Sequence, residues 1–244
     1  MHILISLTVA ESKRLIAKGI AKEERVRRAM EKGMVIVTPG TTNGYVVEEL
    51  TGQKIDRKKF VTGHTLPSNY TGPSLTFELP ILIIQKGEYL NLPLREAVKM
   101  LKAGDVVIKG ANALNYERRQ CGVLVGHPEG GTAGSIIGAV VARRVIFLHP
   151  VGLEKCVTLD LNDVALKLMK DVPASGPTLW VLPGEVFTEI EALRVLAGVE
   201  CVHVASGGIG GAEGAVWLAI FGDKTRIDYA MSFLDSIKGE PNFP

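Results

Sequence analysis

Cysteine, aromatic residues, long apolar runs and blocks of like charge are all scarce in this chain of 244 residues, and each scarcity removes a class of explanation. The three cysteines, Cys121, Cys156 and Cys201, are far apart and odd in number. That pattern fits neither a disulfide framework nor a zinc site, so no metal is expected and a reducing, cytoplasmic setting is the natural one. No stretch approaches the roughly 18 apolar residues of a spanning helix, and the opening "HILISL" is too short for the apolar core of a signal peptide. The chain therefore reads as soluble, with no membrane partner. Aromatics make up 6% of it and the net charge is only +2, with the two signs interspersed. Its nearest approach to a basic patch, "DRKK" at Asp56–Lys59, is short and reads as a solvated face, so nucleic acid is not an expected partner.

What is present is a globular composition, 46% hydrophobic and 22% charged, arranged as strands alternating with helices. Thr8 stands three residues before Glu11, a capping-box spacing, and opens a charged helical stretch that is one helix or two broken near Gly19. "MVIV" at 34–37 suits a strand buried on both faces. "LPILII", "LREAVKML", "DVVIKGANALN" and "GVLVGHPEGGTAGSIIGAVVARRVIFLHP" continue the rhythm. It predicts a Rossmann-like, mostly parallel sheet over residues 1–172. After a linker, "DVPASGP", the segments "TLWVLP", "EVFTEIEALRVLAG", "VECVHVASGG", "EGAVWLAIFG" and "IDYAMSFLDSIKG" read as β-α-β-β-α, a smaller ferredoxin-like α+β domain over 173–244. The glycines of "SGGIGGAEG" miss the dinucleotide fingerprint, because Glu213 stands where its third glycine is needed, and they read instead as a hairpin tip.

Three polar turns follow strands, where doubly wound sheets gather their ligands. In the first, Gly40 and Gly44 permit a tight turn, and Thr41, Thr42 and Asn43 open a helix whose free N–H groups attract anions. The second carries Lys109, Gly110 and Asn112. The third carries His127, Glu129, Gly130, Gly131 and Thr132. The loop at 61–74, with His64, Asn69 and Tyr70, is polar enough to cover a ligand. Arg118 and Arg119 form either a phosphate clamp or a solvated turn. His149 and His203 lie in or beside apolar strands and read as structural.

"GMVIVTPGTTNGYVVEEL", "GDVVIKGANALN" and "HPEGGTAGSIIGAVVARRVIFL", in that order over about 30–150, resemble ribose-5-phosphate isomerase and, through it, the superfamily of glucosamine-phosphate deaminases and CoA transferases. The resemblance implies phosphate binding at Gly40, Thr41 and Thr42. It also marks departures. Lys109 and Asn112 stand where the isomerase has two aspartates, Ser135 where it has its catalytic glutamate, and Thr38 where it has a glycine. Isomerisation needs a carboxylate to shuttle a proton, so that activity is not expected.

The expected ligand is a small anionic metabolite, phosphorylated or CoA-linked, held at Gly40, Thr41, Thr42, Asn43, Gly110, Asn112, Gly130, Gly131 and Thr132. Lys109, His127 and Glu129 are the candidates for chemistry: Glu129 as a displaced base or, by analogy with CoA transferases, a nucleophile. Their plain alternatives are a Lys109–Glu117 pair, a His127 bonded to backbone and a Glu129 that caps a helix. Two functions stay open: a sensor or assembly protein, a homo-oligomer included, that has lost the carboxylate chemistry, and an isomerase- or transferase-type enzyme. Neither names a cofactor.

Overall fold

The computed structural model describes residues 1–61, 69, 81–170 and 176–243. His64, Tyr70 and the expected boundary at 172/173 lie outside them. In chain order the elements are β1 (His2–Leu7), α1 (Val9–Lys22), α2 (Glu24–Lys32), β2 (Met34–Val37), α3 (Thr41–Thr51), β3 (Leu82–Gln85), β4 (Glu88–Tyr89), α4 (Leu94–Met100), β5 (Val106–Ile108), β6 (Ala113–Asn115) and β7 (Gln120–Val125). There follow α5 (Gly131–Ala142), β8 (Ile146–Pro150), α6 (Leu161–Lys170), β9 (Thr178–Leu182), β10 (Glu185–Phe187), α7 (Glu189–Ala197), β11 (Glu200–Ser206), β12 (Val216–Phe221) and α8 (Lys224–Ile237). The protein is thus mixed α/β, and among the described residues no helix is long and apolar enough to cross a membrane.

The central sheet has the order β10-β8-β5-β2-β3-β4, with the first four strands parallel and β3 and β4 antiparallel. Its strands are short and rich in Val and Ile because both faces are covered. Val35, Val37, Val106 and Ile108 pack into one core with α1, α3 and α7. Met34, Ile36 and Val107 pack into the other with α4 and α5. Asp105, 1% exposed, accepts the backbone N–H groups of Met34 and Lys102 at 2.8 Å each and so fixes where β2 and β5 begin.

Sheet pairing crosses the boundary expected near 172. β9, read from sequence as the first strand of the second domain, pairs antiparallel with β7 in a sheet of order β6-β7-β9. "EVF", read as the start of a helix, is strand β10 beside β8, and the helix begins only after Thr188, which forms a capping box with Glu191. The sheet expected from the last seventy residues does form between β11 and β12, antiparallel on either side of the glycine-rich tip, but its third strand is the N-terminal β1. "HILISL" alternates outward and inward residues, the pattern of a strand with one buried face.

The Thr8–Glu11 capping box opens α1, which runs straight through Gly19 and breaks only at Glu23. Gly19 serves packing. A Cβ there would lie 2.6 Å from the Cα of Ala192, so its absence lets α1 and α7 approach backbone to backbone.

Candidate functional site

The parallel strands β2, β5, β8 and β10 end side by side, and buried polar side chains lace their ends together. Thr38 Oγ1 donates to the Ile108 carbonyl at 3.1 Å, and the Asn43 amide donates to the Thr38 carbonyl at 2.7 Å and to that of Ile108 at 3.4 Å. The His149 ring, fully buried, lies between the carbonyls of Lys109 at 2.8 Å and Pro183 at 3.0 Å. Burial, reinforced by the nearby Lys109 charge, lowers the pKa of His149, while its two carbonyl contacts act in the opposite sense. It is a structural residue that fixes the backbone from which Lys109 projects.

Lys109 lines a cavity of about 1080 Å³ bounded by the start of α4, the strand β7 and the first turn of α5. Asn112, His127, Glu129, Gly130, Gly131 and Thr132 line the same cavity. Gly130 and Gly131 adopt φ of +76° and +55°, and a Cβ on Gly134 would fall 2.0 Å from the Glu129 carbonyl oxygen. The glycines therefore let the turn fold back tightly on the helix it opens. Gly130 is the N-cap and offers no side chain, and the first turn of α5 carries no acidic residue. The N–H groups of Gly131, Thr132 and Ala133 are thus left at the positive end of a twelve-residue helix.

The Lys109 ammonium has no ion pair among the described residues, so its plain alternative, a pair with Glu117, is not formed there. Burial alone lowers its pKa to about 8. The cavity thus holds a cation that has no ion-pair partner among the described residues. Glu129 stands at the rim, where its carboxylate pairs with Arg95 at 3.2 Å and both side chains are largely exposed. Its backbone N–H donates to His127 Nδ1 at 3.1 Å, which leaves Nε2 to carry the proton of the neutral ring. Asn112 Oδ1 accepts from the Leu124 N–H at 3.0 Å, and Ser135 Oγ donates to the Gly131 carbonyl at 3.0 Å. Arg118 pairs with Asp160 at 3.1 Å and Arg119 with Glu191 at 3.0 Å, so both guanidinium groups are engaged in structural pairs instead of a clamp.

Gly40, Thr41, Thr42, Asn43 and Gly110 do not line this cavity. Thr42 and Asn43 are buried, and Gly40, the N-cap of α3, supplies no side-chain cap. A Cβ on Gly110 would lie 3.6 Å from the Pro150 carbonyl and 3.9 Å from Asn43 Oδ1, so the two glycine turns meet each other at the end of β8.

A group that sequence reasoning missed lies there as well. Lys13 is only 8% exposed, and burial, with Lys155 adding to it, lowers its pKa to about 8. Glu189, fully buried, accepts from the Leu153 N–H at 3.1 and 3.3 Å. The Ser12 hydroxyl lies beside it without reaching hydrogen-bond geometry. Burial, with Glu154 adding to it, pushes the Glu189 carboxyl up to about 8, which favours its protonated form. The buried side-chain polar atoms without a partner among the described residues are Ser12 Oγ, Asn43 Oδ1, Tyr45 OH and Glu154 Oε2. They all belong to α1, α3 or the turn after β8. Nothing in the sequence separates Glu189 from an ordinary acidic helix residue, and Lys13 sits in a stretch that reads simply as a charged helix. The buried thiols of Cys121 and Cys201 are raised to about 12 by desolvation, which disfavours their nucleophilic thiolate form.

The comparisons with family models, with curated proteins and with solved structures find no match to this chain.

The raised Glu189 pKa sets a pH dependence. The ordinary value of a glutamate is 4.5, so the folded state holds this proton more tightly than the unfolded chain, and the stability it contributes is complete below about 4.5 and is lost as pH rises to about 8. Glu189→Gln cannot ionise. Urea unfolding should therefore find the variant gaining on the parent protein across this interval by an amount on the order of a few kcal/mol. A constant difference between the two from pH 4.5 to 8.5 would mean that Glu189 titrates normally.

Proposed function

We propose that the protein binds a small phosphorylated or CoA-linked metabolite in the cavity between α4, β7 and α5, as a sensor or assembly protein that lacks the carboxylate chemistry of the isomerases it resembles. One observation carries the reading: the half-buried Lys109 has no ion-pair partner among the described residues and shares its cavity with the uncapped N-terminus of α5. An anion entering there neutralises the lysine and accepts from backbone N–H groups that have no other partner among the described residues. A volume of about 1080 Å³ is at the upper end for small-molecule sites, which suits a phosphate carried on a larger body better than a free ion. The four parallel strands with helices on both faces support the resemblance to the isomerase superfamily and the Rossmann-like reading of the central sheet.

The enzyme alternative needs a base facing Lys109. Glu129 is drawn to the rim by Arg95, and Ser135 bonds to backbone, which is why the binding reading comes first. Thermal-shift measurements against inorganic phosphate, sugar phosphates, nucleotides and CoA esters test it, because a ligand that binds only the folded state raises Tm. At a hundredfold excess over Kd the stabilisation is about 2.7 kcal/mol, a rise of a few degrees in a chain of this size. No rise with any phosphorylated compound would contradict the reading, and turnover of a hit would favour the enzyme.

A further inference from the structure

The walls of the cavity that holds Lys109 restrict the ligand beyond its negative charge. Besides Lys109 and the first turn of α5, the same space is lined by Leu92 and Leu94 at the start of α4 and by Val123 and Val125 of β7. Leu92 is 38% exposed, and Leu94 and Val125 pack against the core under α4 and α5 while keeping part of their surface open. Apolar side chains left open inside a concave site favour a ligand that takes their surface out of water. The polar side chains of the cavity are largely engaged. Ser135 Oγ donates to the Gly131 carbonyl, Asn112 Oδ1 accepts from the Leu124 N–H, and His127 Nδ1 accepts from the Glu129 N–H. Glu129 and Arg95 pair with each other at the rim. A polyhydroxylated body such as a sugar would set its hydroxyl groups against Leu and Val, exchanging hydrogen bonds to water for few partners in the site. An aliphatic body carries no such cost.

We propose that the cavity takes a soluble phosphate monoester of a short aliphatic alcohol, with the phosphate at Lys109 and the carbon chain along Leu92, Leu94, Val123 and Val125. The assignment rests on the phosphate reading of this cavity and narrows it, because sugar phosphates become the poor ligands. Lys109 supplies affinity for the charge, and the Leu and Val side chains supply the choice among compounds that carry it.

Titration calorimetry of the full chain with inorganic phosphate, methyl phosphate, hexyl phosphate and glucose 6-phosphate tests it. A fully buried methylene raises affinity about fourfold and a half-buried one about twofold, so hexyl phosphate should bind at least about 30-fold tighter than methyl phosphate. It should also bind tighter than glucose 6-phosphate. Its heat-capacity change on binding should be the more negative of the two alkyl esters, the mark of apolar burial. Leu92→Asn should lower the hexyl-to-methyl affinity ratio by at least about threefold, the loss of one to two methylene contacts. Val125→Thr keeps the side-chain shape while exchanging a methyl group for a hydroxyl, and it should lower the ratio in the same direction. Circular dichroism checks that both variants fold. Lys109→Ala should weaken both esters by one common factor and so keep the ratio. A hexyl-to-methyl ratio near one overturns the proposal, as does tighter binding of glucose 6-phosphate than of hexyl phosphate or a ratio that neither wall variant lowers. In each of those cases binding of inorganic phosphate would still uphold the phosphate reading. No binding of any phosphate, the inorganic ion included, would overturn that reading and the proposal together.

Discussion

Arg14→Ala should lower folding stability by about 3 to 5 kcal/mol, the cost of leaving buried charges without their partner. Arg14 and Glu48 are 4% and 5% exposed. The Arg14 guanidinium donates to Glu48, to Glu49 at 3.0 Å and to Glu240 at 3.0 Å, which ties α1 to α3 and to the segment after α8. Its Cζ lies 4.7 Å from the centroid of the Tyr45 ring, and the Arg57 Cζ lies 4.1 Å from the same centroid. Burial acts to raise the pKa of Glu48, but Arg14 and the Ile55 N–H outweigh it and hold the carboxyl below the ordinary range. Alanine at position 14 removes the largest of these counterweights. Glu48 would then be buried with only Lys54 at 3.3 Å and the more distant Arg57 as cations, and it would take up a proton at higher pH. The loss should therefore shrink as pH falls from 7 towards 4.5. Urea unfolding at both pH values measures it, and a loss under about 1 kcal/mol at pH 7 would mean that the network behaves as a solvated surface cluster.

Lys109→Ala should weaken binding of a phosphorylated ligand by roughly 30- to 150-fold, the equivalent of a charge-assisted contact of about 2 to 3 kcal/mol in a desolvated site. The direction of the pKa shift adds a second signature. The ammonium form binds the anion, so affinity in the parent protein should decline as pH rises through about 8, where the free lysine loses its charge. The alanine variant should lack that decline. Titration calorimetry from pH 6.5 to 9.5 separates this from a packing effect, because a lost methylene stem changes affinity equally at every pH. Equal affinity in the two proteins would show that the ammonium makes no contact with the ligand.

Local chemistry made some of this legible in the sequence. "MVIV" followed by Gly40 announces a buried strand, a turn and a helix, and Thr8 with Glu11 announces the start of α1, because each depends on residues within one turn of one another. The alternating residues on either side of Gly208–Gly211 announce the β11–β12 pair for the same reason. Pairing between distant segments was not legible. β1 and β12 are joined residue for residue from His2↔Phe221 to Leu7↔Val216, yet "HILISL" carries no mark of its partner. Gly19 looked like a helix breaker because its reason, the Ala192 backbone, comes from another element. The same holds for the chemistry. The glycine-rich turn and Lys109 stood out by residue type, whereas Lys13 and Glu189 owe their altered protonation to burial that only the packed elements create.

Titration of the ¹⁵N-labelled protein with inorganic phosphate, followed through its backbone amide resonances, tests the central claim most directly, since phosphate is the group common to the ligands proposed for the cavity. The account predicts saturable shifts at Gly131, Thr132 and Ala133 with one common affinity, weakened together by Lys109→Ala. Shifts confined to Thr41, Thr42 and Asn43 while the first turn of α5 stays silent, or no saturable shift at either helix end, would contradict it.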